Sequence, residues 1–267
     1  MAAMLVSDRD LSGAFLVRVD GADQSFVDPA DPTRLEFDYM QRIGDVIDTM
    51  RPPGERIRVV HVGGAGMTLA RYVAATRPTS AQIVLEPDAE LTAQVRAQVP
   101  LPRRSGIKVR PVDGRAGLAA MSDDYADLVI VDAFAGARVP AELTTAEWWG
   151  EVARVLVPGG SLSLNITDRV PFWYAKRVTA GIADRFQPVV CAVEPATLKG
   201  HRFGNLVVSA GGGIDHPRLE RRAHQAVFPY RVMGGLHLAR WVGHAPAFTD
   251  DDAEPSPAPP GGPTTFC

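Results

Sequence analysis

From residue 57 onward the chain alternates between two hydrophobic rhythms. Short β-branched runs at 57–62, 82–85, 107–111, 126–131, 161–166, 188–193 and 205–209 read as strands. Segments with helical character separate the first six of them, at 68–75, 89–98, 115–121, 145–155 and 172–185. Thr144 or Thr145 supplies the cap of the fourth helix, with Glu147 in its first turn. The run at 126–131 is almost wholly apolar, which suits a strand covered on both faces. This alternation predicts an α/β fold: a mostly parallel seven-stranded sheet with helices on both faces.

The flanks follow other patterns. Strands at 14–19 and 24–27, joined by an Asp20-Gly21 turn, predict a small N-terminal β-hairpin within residues 1–33. Residues 34–50 carry Met40, Ile43, Ile47 and Met50 on one helical face, and Gly44 weakens that helix slightly. Pro52-Pro53-Gly54 stops it, and Pro158-Gly159-Gly160 reads as a sharp turn. The main domain is expected over 34–214, ending at Gly211-Gly212-Gly213. A helical extension over 215–244, with a short helix at 216–227, follows it. Residues 245–267 are rich in Pro, Ala, Gly and Asp and are expected to be disordered.

Chemistry concentrates where strands end. Gly63, Gly64 and Gly66 follow the first central strand and precede a helix. Glycine permits a tight turn and close ligand approach, and the helix aims free N–H groups at the same spot. Glu86 ends the second strand, where a carboxylate can accept from ribose hydroxyls. Asp113, followed by Gly114, comes after the third strand, and Asp132 comes after the fourth, opening a loop of small residues. In an open α/β sheet these strand ends form one ligand-binding edge. No Gly-Lys-Ser or Gly-Lys-Thr occurs, which argues against a triphosphate. A cationic sulfonium nucleoside fits a carboxylate-rich edge better. Purely structural roles exist for each group: a ligand-free βα turn for the glycines, helix caps for Glu86 and Asp113, and a loop brace for Asp132.

Composition narrows the field. The chain has 267 residues, is 46% hydrophobic and carries a formal net charge of -3. That suffices for one large domain with small additions. No apolar run reaches the roughly 18 residues of a membrane span, and the first ten residues do not read as a secretory signal. Cys191 and Cys267 suggest neither a disulfide framework nor a zinc site, and Cys191 reads as a core residue. The six histidines show no paired spacing, so no metal is expected. The densest basic spot, Arg218 to Arg222, reads as a solvated helix face, so nucleic acid is not the expected partner. The expectation is a soluble, cytoplasmic protein without membrane contact.

With these residues in hand, the chain resembles the spermidine synthase (polyamine aminopropyltransferase) family from about residue 20 to 209. The resemblance rests on Asp20-Gly21-Ala22-Asp23-Gln24-Ser25, Gly63-Gly64-Ala65-Gly66 with Thr68-Leu69, Glu86-Pro87-Asp88, and Asp113-Gly114. It continues through Val131-Asp132, Val139-Pro140 with Leu143-Thr144-Thr145-Ala146-Glu147, and Leu156-Val157-Pro158-Gly159-Gly160. It implies a Rossmann-like class I methyltransferase fold behind a small N-terminal β domain. It also implies transfer of an aminopropyl group from decarboxylated S-adenosylmethionine to an amine, in polyamine biosynthesis, and a homodimer. By the resemblance Glu86 holds the ribose, Asp113 lies near the adenine, Gln24 flanks the nucleoside, and Asp132 assists deprotonation of the amine. The family's substrate tyrosine falls on Phe37 or Tyr39.

Departures are concentrated on the acceptor side. The family's loop, Gly-Gly-Gly-Asp-Gly-Gly, is here one residue shorter and lacks the Asp, and the family's second acidic residue is here Ala135. A diprotonated diamine needs carboxylates to offset its desolvation, so the acceptor can differ from putrescine. The alternatives are an S-adenosylmethionine-dependent methyltransferase and a non-catalytic nucleoside-binding relative.

Overall fold

The computed structural model describes residues 3–19 and 21–262; Asp20, and with it half of the expected Asp20-Gly21 turn, lies outside them. Among the described residues there are two sheets. The first has three antiparallel strands, β1 (Ala3–Ser7), β2 (Phe15–Val19) and β3 (Ala22–Val27), so the expected hairpin gains a strand on its N-terminal side. The second has eight strands in the order β11-β9-β10-β8-β7-β4-β5-β6. Its strands are β4 (Arg58–Val62), β5 (Ala81–Leu85), β6 (Ile107–Arg110), β7 (Ala126–Val131), β8 (Leu156–Asp168), β9 (Val189–Val193), β10 (Gly204–Gly211) and β11 (Arg231–Gly234). From β6 to β8 every pairing is parallel; β9, β10 and β11 pair antiparallel.

The helices are α1 (Asp38–Thr49), α2 (Thr68–Thr76), α3 (Ala89–Gln98), α4 (Gly114–Ala119), α5 (Ala146–Val155), α6 (Trp173–Ala183), α7 (Pro195–Leu198), α8 (His216–Gln225) and α9 (Gly235–Val242). One core packs Trp148, Trp149 and Val152 of α5 and Val178 and Ile182 of α6 against the sheet. Another packs Met40, Ile43 and Ile47 of α1 with Leu69 and Val73 of α2 on the opposite face. The period-3.6 stripe of α1 thus faces the sheet as its spacing requires. Thr145 is the cap of α5, accepting from Trp148 N at 3.2 Å.

The sheet reverses direction between β4 and β7. From β4 the chain winds outward to β5 and β6, and from β7 it winds the other way to β8. Gly63 N donates to the Leu85 carbonyl and Asp132 N to the Val62 carbonyl, both at 2.9 Å, so the strand ends converge. Gly63 has φ +88° and lies against the Asp132 carbonyl, where a Cβ would overlap that oxygen.

Four expectations are corrected. Residues 231–234 add an eighth strand, so the extension over 215–244 is not wholly helical. Pro158-Gly159-Gly160 lies within the long strand β8, at a register shift opposite Ala126 and Leu128, and acts as a bulge rather than a terminating turn. The basic run of α8 is not a free surface. Arg222 pairs with Asp45 and, at 2.8 Å, with Asp48 of α1, and Arg218 reaches the Thr49 carbonyl.

The fourth correction concerns the tail, whose residues 245–262 are packed on the domain. Phe248 is fully buried against Tyr174 and under the Arg177 guanidinium. Arg177 also donates to the Pro246 and Ala247 carbonyls, and Arg115 grips Asp250 at 2.5 Å. Ser256 is buried and exchanges hydrogen bonds with the Val139 backbone at 3.1 and 2.9 Å. A few anchors order a segment whose average composition is too polar to form a core of its own. Residues 263–267 of that expectation lie outside the described residues.

Two outcomes follow from this packing. Phe248→Ala is expected to cost about 3–5 kcal/mol, the usual loss for a fully buried aromatic, measured by urea unfolding; an unchanged midpoint would mean that the tail is not packed. Gly63→Ala is expected to cost about 3 kcal/mol, since it combines a positive φ with a steric overlap, measured by the same titration.

Candidate active site

The glycine loop is built from its neighbours. Glu86, at the end of β5, accepts Gly64 N at 2.9 Å and Ala65 N at 3.2 Å on Oε2, and Asp88 N at 3.0 Å on Oε1. Gly64 packs on Val84, and Gly66 packs on Ser25 and Val27 of β3, where a Cβ would come within 2.7 Å of both side chains. Ser25 Oγ and Thr68 Oγ1 share a hydrogen bond of 2.7 Å, and Thr68 also donates to the Phe26 carbonyl. The small N-terminal sheet is thereby docked on the loop, and this places Gln24 beside it.

Two cavities meet at Gln24 and Tyr39, and Asp132 lines the smaller and reaches the larger through its hydrogen bonds with Tyr39 and Asn165. The smaller, about 40 Å³, is lined by Gln24, Tyr39, His61, Gly63, Gly64 and Asp132, among others. The larger, about 550 Å³, is lined by Gln24, Phe37, Tyr39, Phe134, Asn165 and Thr167, with Asp23, Glu36, Asp38 and Glu194 and the cations Arg42 and Arg202 around them. Gln24 and Tyr39 belong to both. Phe37 and Tyr39 stack with ring centroids 6.1 Å apart, but only Tyr39 reaches Asp132, donating its hydroxyl to Oδ2 at 3.3 Å. Asn165 of β8 donates from Nδ2 to Oδ1 at 3.1 Å.

Burial raises the Asp132 carboxyl to about 6, against the lowering effect of the hydrogen bonds from Asn165 and Tyr39. Burial, and then the Asp132 charge, raises the Tyr39 phenol, which stays protonated. His61 is buried, and desolvation brings it down to about 4, so its imidazole is neutral at pH 7. Gln82 Nε2 donates to the Ala70 carbonyl, so its Oε1 faces His61 Nε2 at 2.9 Å, and His61 carries its proton there.

The structure therefore gathers Gln24, Tyr39, Gly63, Gly64 and Asp132 around one junction. Asp113 and Gly114 lie apart, at the end of β6. Asp113 is exposed and caps α4 through Ala116 N at 2.9 Å, leaving Oδ2 for another partner; Gly114 lets α4 pack on Val62. Glu86 holds the loop, with three of its about four acceptor positions in use. The cap considered for Glu86 belongs instead to Asp88, which accepts Leu91 N at 2.8 Å. Asn165 was not singled out by sequence, although its place near the C-terminal end of the fifth parallel strand satisfies the same strand-end rule. Among the described residues no group of three or more His, Cys, Asp or Glu is placed to hold a metal ion. No helix there is long and apolar enough to cross a membrane.

Comparisons with known proteins place this geometry. No family model and no curated protein matches the sequence. Among solved structures, a probable spermidine synthase from Corynebacterium glutamicum is similar over 93% of this chain and 92% of its own, with 28% identity and a TM-score of 0.86. A spermidine synthase in complex with the transition-state analogue AdoDATO matches 93% of this chain and 77% of its own at 17% identity and TM-score 0.60. Human methyltransferase-like protein 13, in complex with SAH, matches 80% of this chain and 96% of its own at 16% identity and TM-score 0.58. The last two likenesses show a shared class I methyltransferase-like fold. The first, at 28% identity over nearly the whole of both chains, supports a spermidine synthase-like relationship.

Proposed function

We propose that the protein is an aminopropyltransferase-like enzyme. It binds a sulfonium nucleoside, decarboxylated S-adenosylmethionine, and transfers the aminopropyl group to an amine. The observation that carries this reading is the half-buried Asp132, which lines the glycine-loop cavity and is hydrogen-bonded to Tyr39 and Asn165 of a larger cavity rimmed by carboxylates and two arginines. The donor's adenosine lies along the strand edge, with one ribose hydroxyl on the remaining acceptor position of Glu86 and the adenine amine on Asp113. Gly63 and Gly64 line the cavity that receives it, Gly66 seats the loop on β3, Gly114 seats α4 beneath it, and Gln24 covers it from the N-terminal sheet. The complexes of structural neighbours with AdoDATO and SAH support a donor of this class.

The acceptor occupies the larger cavity beside Tyr39. Its nitrogen lone pair attacks the methylene carbon next to sulfur, the C–S bond breaks, and its electron pair leaves sulfur as a neutral thioether. The new ammonium loses a proton by way of Asp132. An alkyl amine has an ordinary pKa near that of lysine, about 10.4, so it arrives as an ammonium ion. Ionised Asp132 attracts that cation, and burial in the cavity lowers its affinity for the proton. That proton leaves to solvent before the attack, so that the lone pair is free and Asp132 is still ionised to take the proton of the new ammonium. Holding both reactants in line supplies much of the rate. Glu36 at the rim stands in part for the acidic residue replaced by Ala135, while Asp38 beside it is paired with Arg42 at 3.9 Å. A homodimer and a place in polyamine biosynthesis belong to the same proposal.

Titration by calorimetry with decarboxylated S-adenosylmethionine, S-adenosylmethionine and methylthioadenosine is the direct test. Tighter binding of the decarboxylated donor and of methylthioadenosine supports the proposal; preference for S-adenosylmethionine turns the reading to a methyltransferase; no binding removes it. Because Asp132 must be ionised, kcat/KM is expected to fall about tenfold per pH unit below pH about 6. A flat profile between pH 4.5 and 7 would exclude Asp132 as the base. The same raised value means that ionised Asp132 destabilises the fold: the effect is absent below the ordinary carboxyl value of 3.8 and complete above about 6. Asp132→Asn is therefore expected to abolish turnover while raising stability at pH 7.5 by up to about 3 kcal/mol. Thermal unfolding at pH 4 and pH 7.5 checks this, since the gain should vanish at the lower pH.

A further inference from the structure

The larger cavity carries charge of both signs. Of the carboxylates lining it, Asp23 is paired with Arg18 at 2.6 Å, Asp38 with Arg42 at 3.9 Å and Glu194 with Arg202, while Glu36 is exposed at the rim. Arg42 of α1 is the least well partnered of these groups. It is 5% exposed and lines the cavity. Its Nη1 donates to the Asn205 carbonyl at 3.3 Å, its Nη2 has only Asp38 at 3.9 Å, beyond hydrogen-bond reach, and its Nε has no partner. A guanidinium offers five N–H donors, so most of them are unused. Of the two unbonded nitrogens, Nε is sealed off and Nη2 is not. Desolvation works against the Arg42 cation, Asp38 supports it, and the nearby Arg202 opposes it. Buried charges are ordinarily paired and hydrogen-bonded, and this one lacks a close counter-ion.

The position of Arg42 is as informative. It lies one helical turn from Tyr39 on the same face of α1, and Tyr39 reaches Asp132. On the sheet side it touches Asn205, which is one strand across and two residues along from Asn165, the other partner of Asp132. Those two backbone positions are about 8 Å apart, the reach of a carbon chain of about five bonds.

We propose that Arg42, with Arg202 beside it, binds a carboxylate of the acceptor, and that the acceptor is accordingly an amino acid with a side-chain amine rather than a plain diamine. The inference rests on the amine-transfer reading of the site. The side-chain nitrogen sits at Asp132, the α-ammonium faces Glu36, and the carboxylate accepts the free N–H groups of Arg42 Nη2. Asp38 gives way to it, because its side chain is 44% exposed and its pairing with Arg42 is long; a direct N–H···O bond between ions is shorter and stronger. The covalent step is unchanged: the nitrogen lone pair forms the C–N bond, the C–S bond breaks, and the carboxylate takes no part. A plain diamine leaves the buried guanidinium without its counter-ion, and selection by an unpaired buried group is strong.

The test uses ornithine and putrescine, which differ by that carboxylate alone, each assayed with decarboxylated S-adenosylmethionine. Wild type is expected to favour ornithine by about tenfold or more in kcat/KM. In Arg42→Met, which keeps much of the bulk and removes the charge, that ratio is expected to fall about tenfold, with the nucleoside affinity unchanged by calorimetry. A merely structural role would lower both rates together and leave the ratio as it was. A folded Arg42→Met with the wild-type ratio would overturn the assignment of Arg42, and a wild-type preference for putrescine would overturn the carboxylated acceptor; both results leave the amine-transfer reading intact. A wild-type protein that binds the donor and consumes neither amine would overturn that reading, and this inference with it. If Arg42→Met does not fold, Arg202→Met, at a side chain 56% exposed, is put through the same comparison. A fall of about threefold is then expected, and an unchanged ratio would overturn the inference.

Discussion

The approach of β4 to β7 at the sheet's reversal point constrains everything around it. Gly63 is in the left-handed region of φ and lies against the Asp132 carbonyl, where a side chain would collide. Because no Cβ is there, two parallel strands end side by side, one delivering a loop of backbone N–H groups and the other a carboxylate. Glu86 then takes the loop's N–H groups on one oxygen, and Gly66 lets the loop seat against Ser25 and Val27. The N-terminal sheet is thus not an appendage: through the Ser25–Thr68 hydrogen bond it brings Gln24 to the site.

Around that point the protein holds a carboxylate in a place that resists its charge. Desolvation raises Asp132, while Tyr39 and Asn165 partly compensate by donating to its two oxygens. Groups with shifted titration, in a cleft and with defined partners, mark sites where chemistry is done. His61 fits this pattern differently. It is neutral and its tautomer is fixed by Gln82, so it contributes shape and polarity to the loop cavity without adding positive charge there.

The C-terminal segment shows how composition misleads. Its Pro, Gly and Asp content predicts disorder, yet Phe248, Asp250, Asp252 and Ser256 each find a partner on the folded domain. These partners are Tyr174, Arg115, Arg177 and the backbone at Val139, scattered along the sequence. Their convergence is a property of the folded surface. The segment also braces the loop after Asp132, since Arg138 donates to the Pro255 carbonyl at 3.0 Å, and it carries Pro260 to the edge of the larger cavity.

The sequence by itself determined the alternation of strands and helices and the parallel core, because period-2 and period-3.6 patterns are local. It likewise determined the clustering of Gly63, Gly64, Gly66, Glu86, Asp113 and Asp132 at strand ends, since topology fixes where those ends point. Only the tertiary structure decided which of them share a cavity: Asp113 caps a helix apart from the junction, whereas Tyr39, ambiguous with Phe37 in the sequence, reaches Asp132 across 93 residues of chain. It alone also decided the packed tail and the eighth strand. Each of these depends on contacts between residues far apart in the chain, and neither hydrophobic periodicity nor composition encodes such pairings.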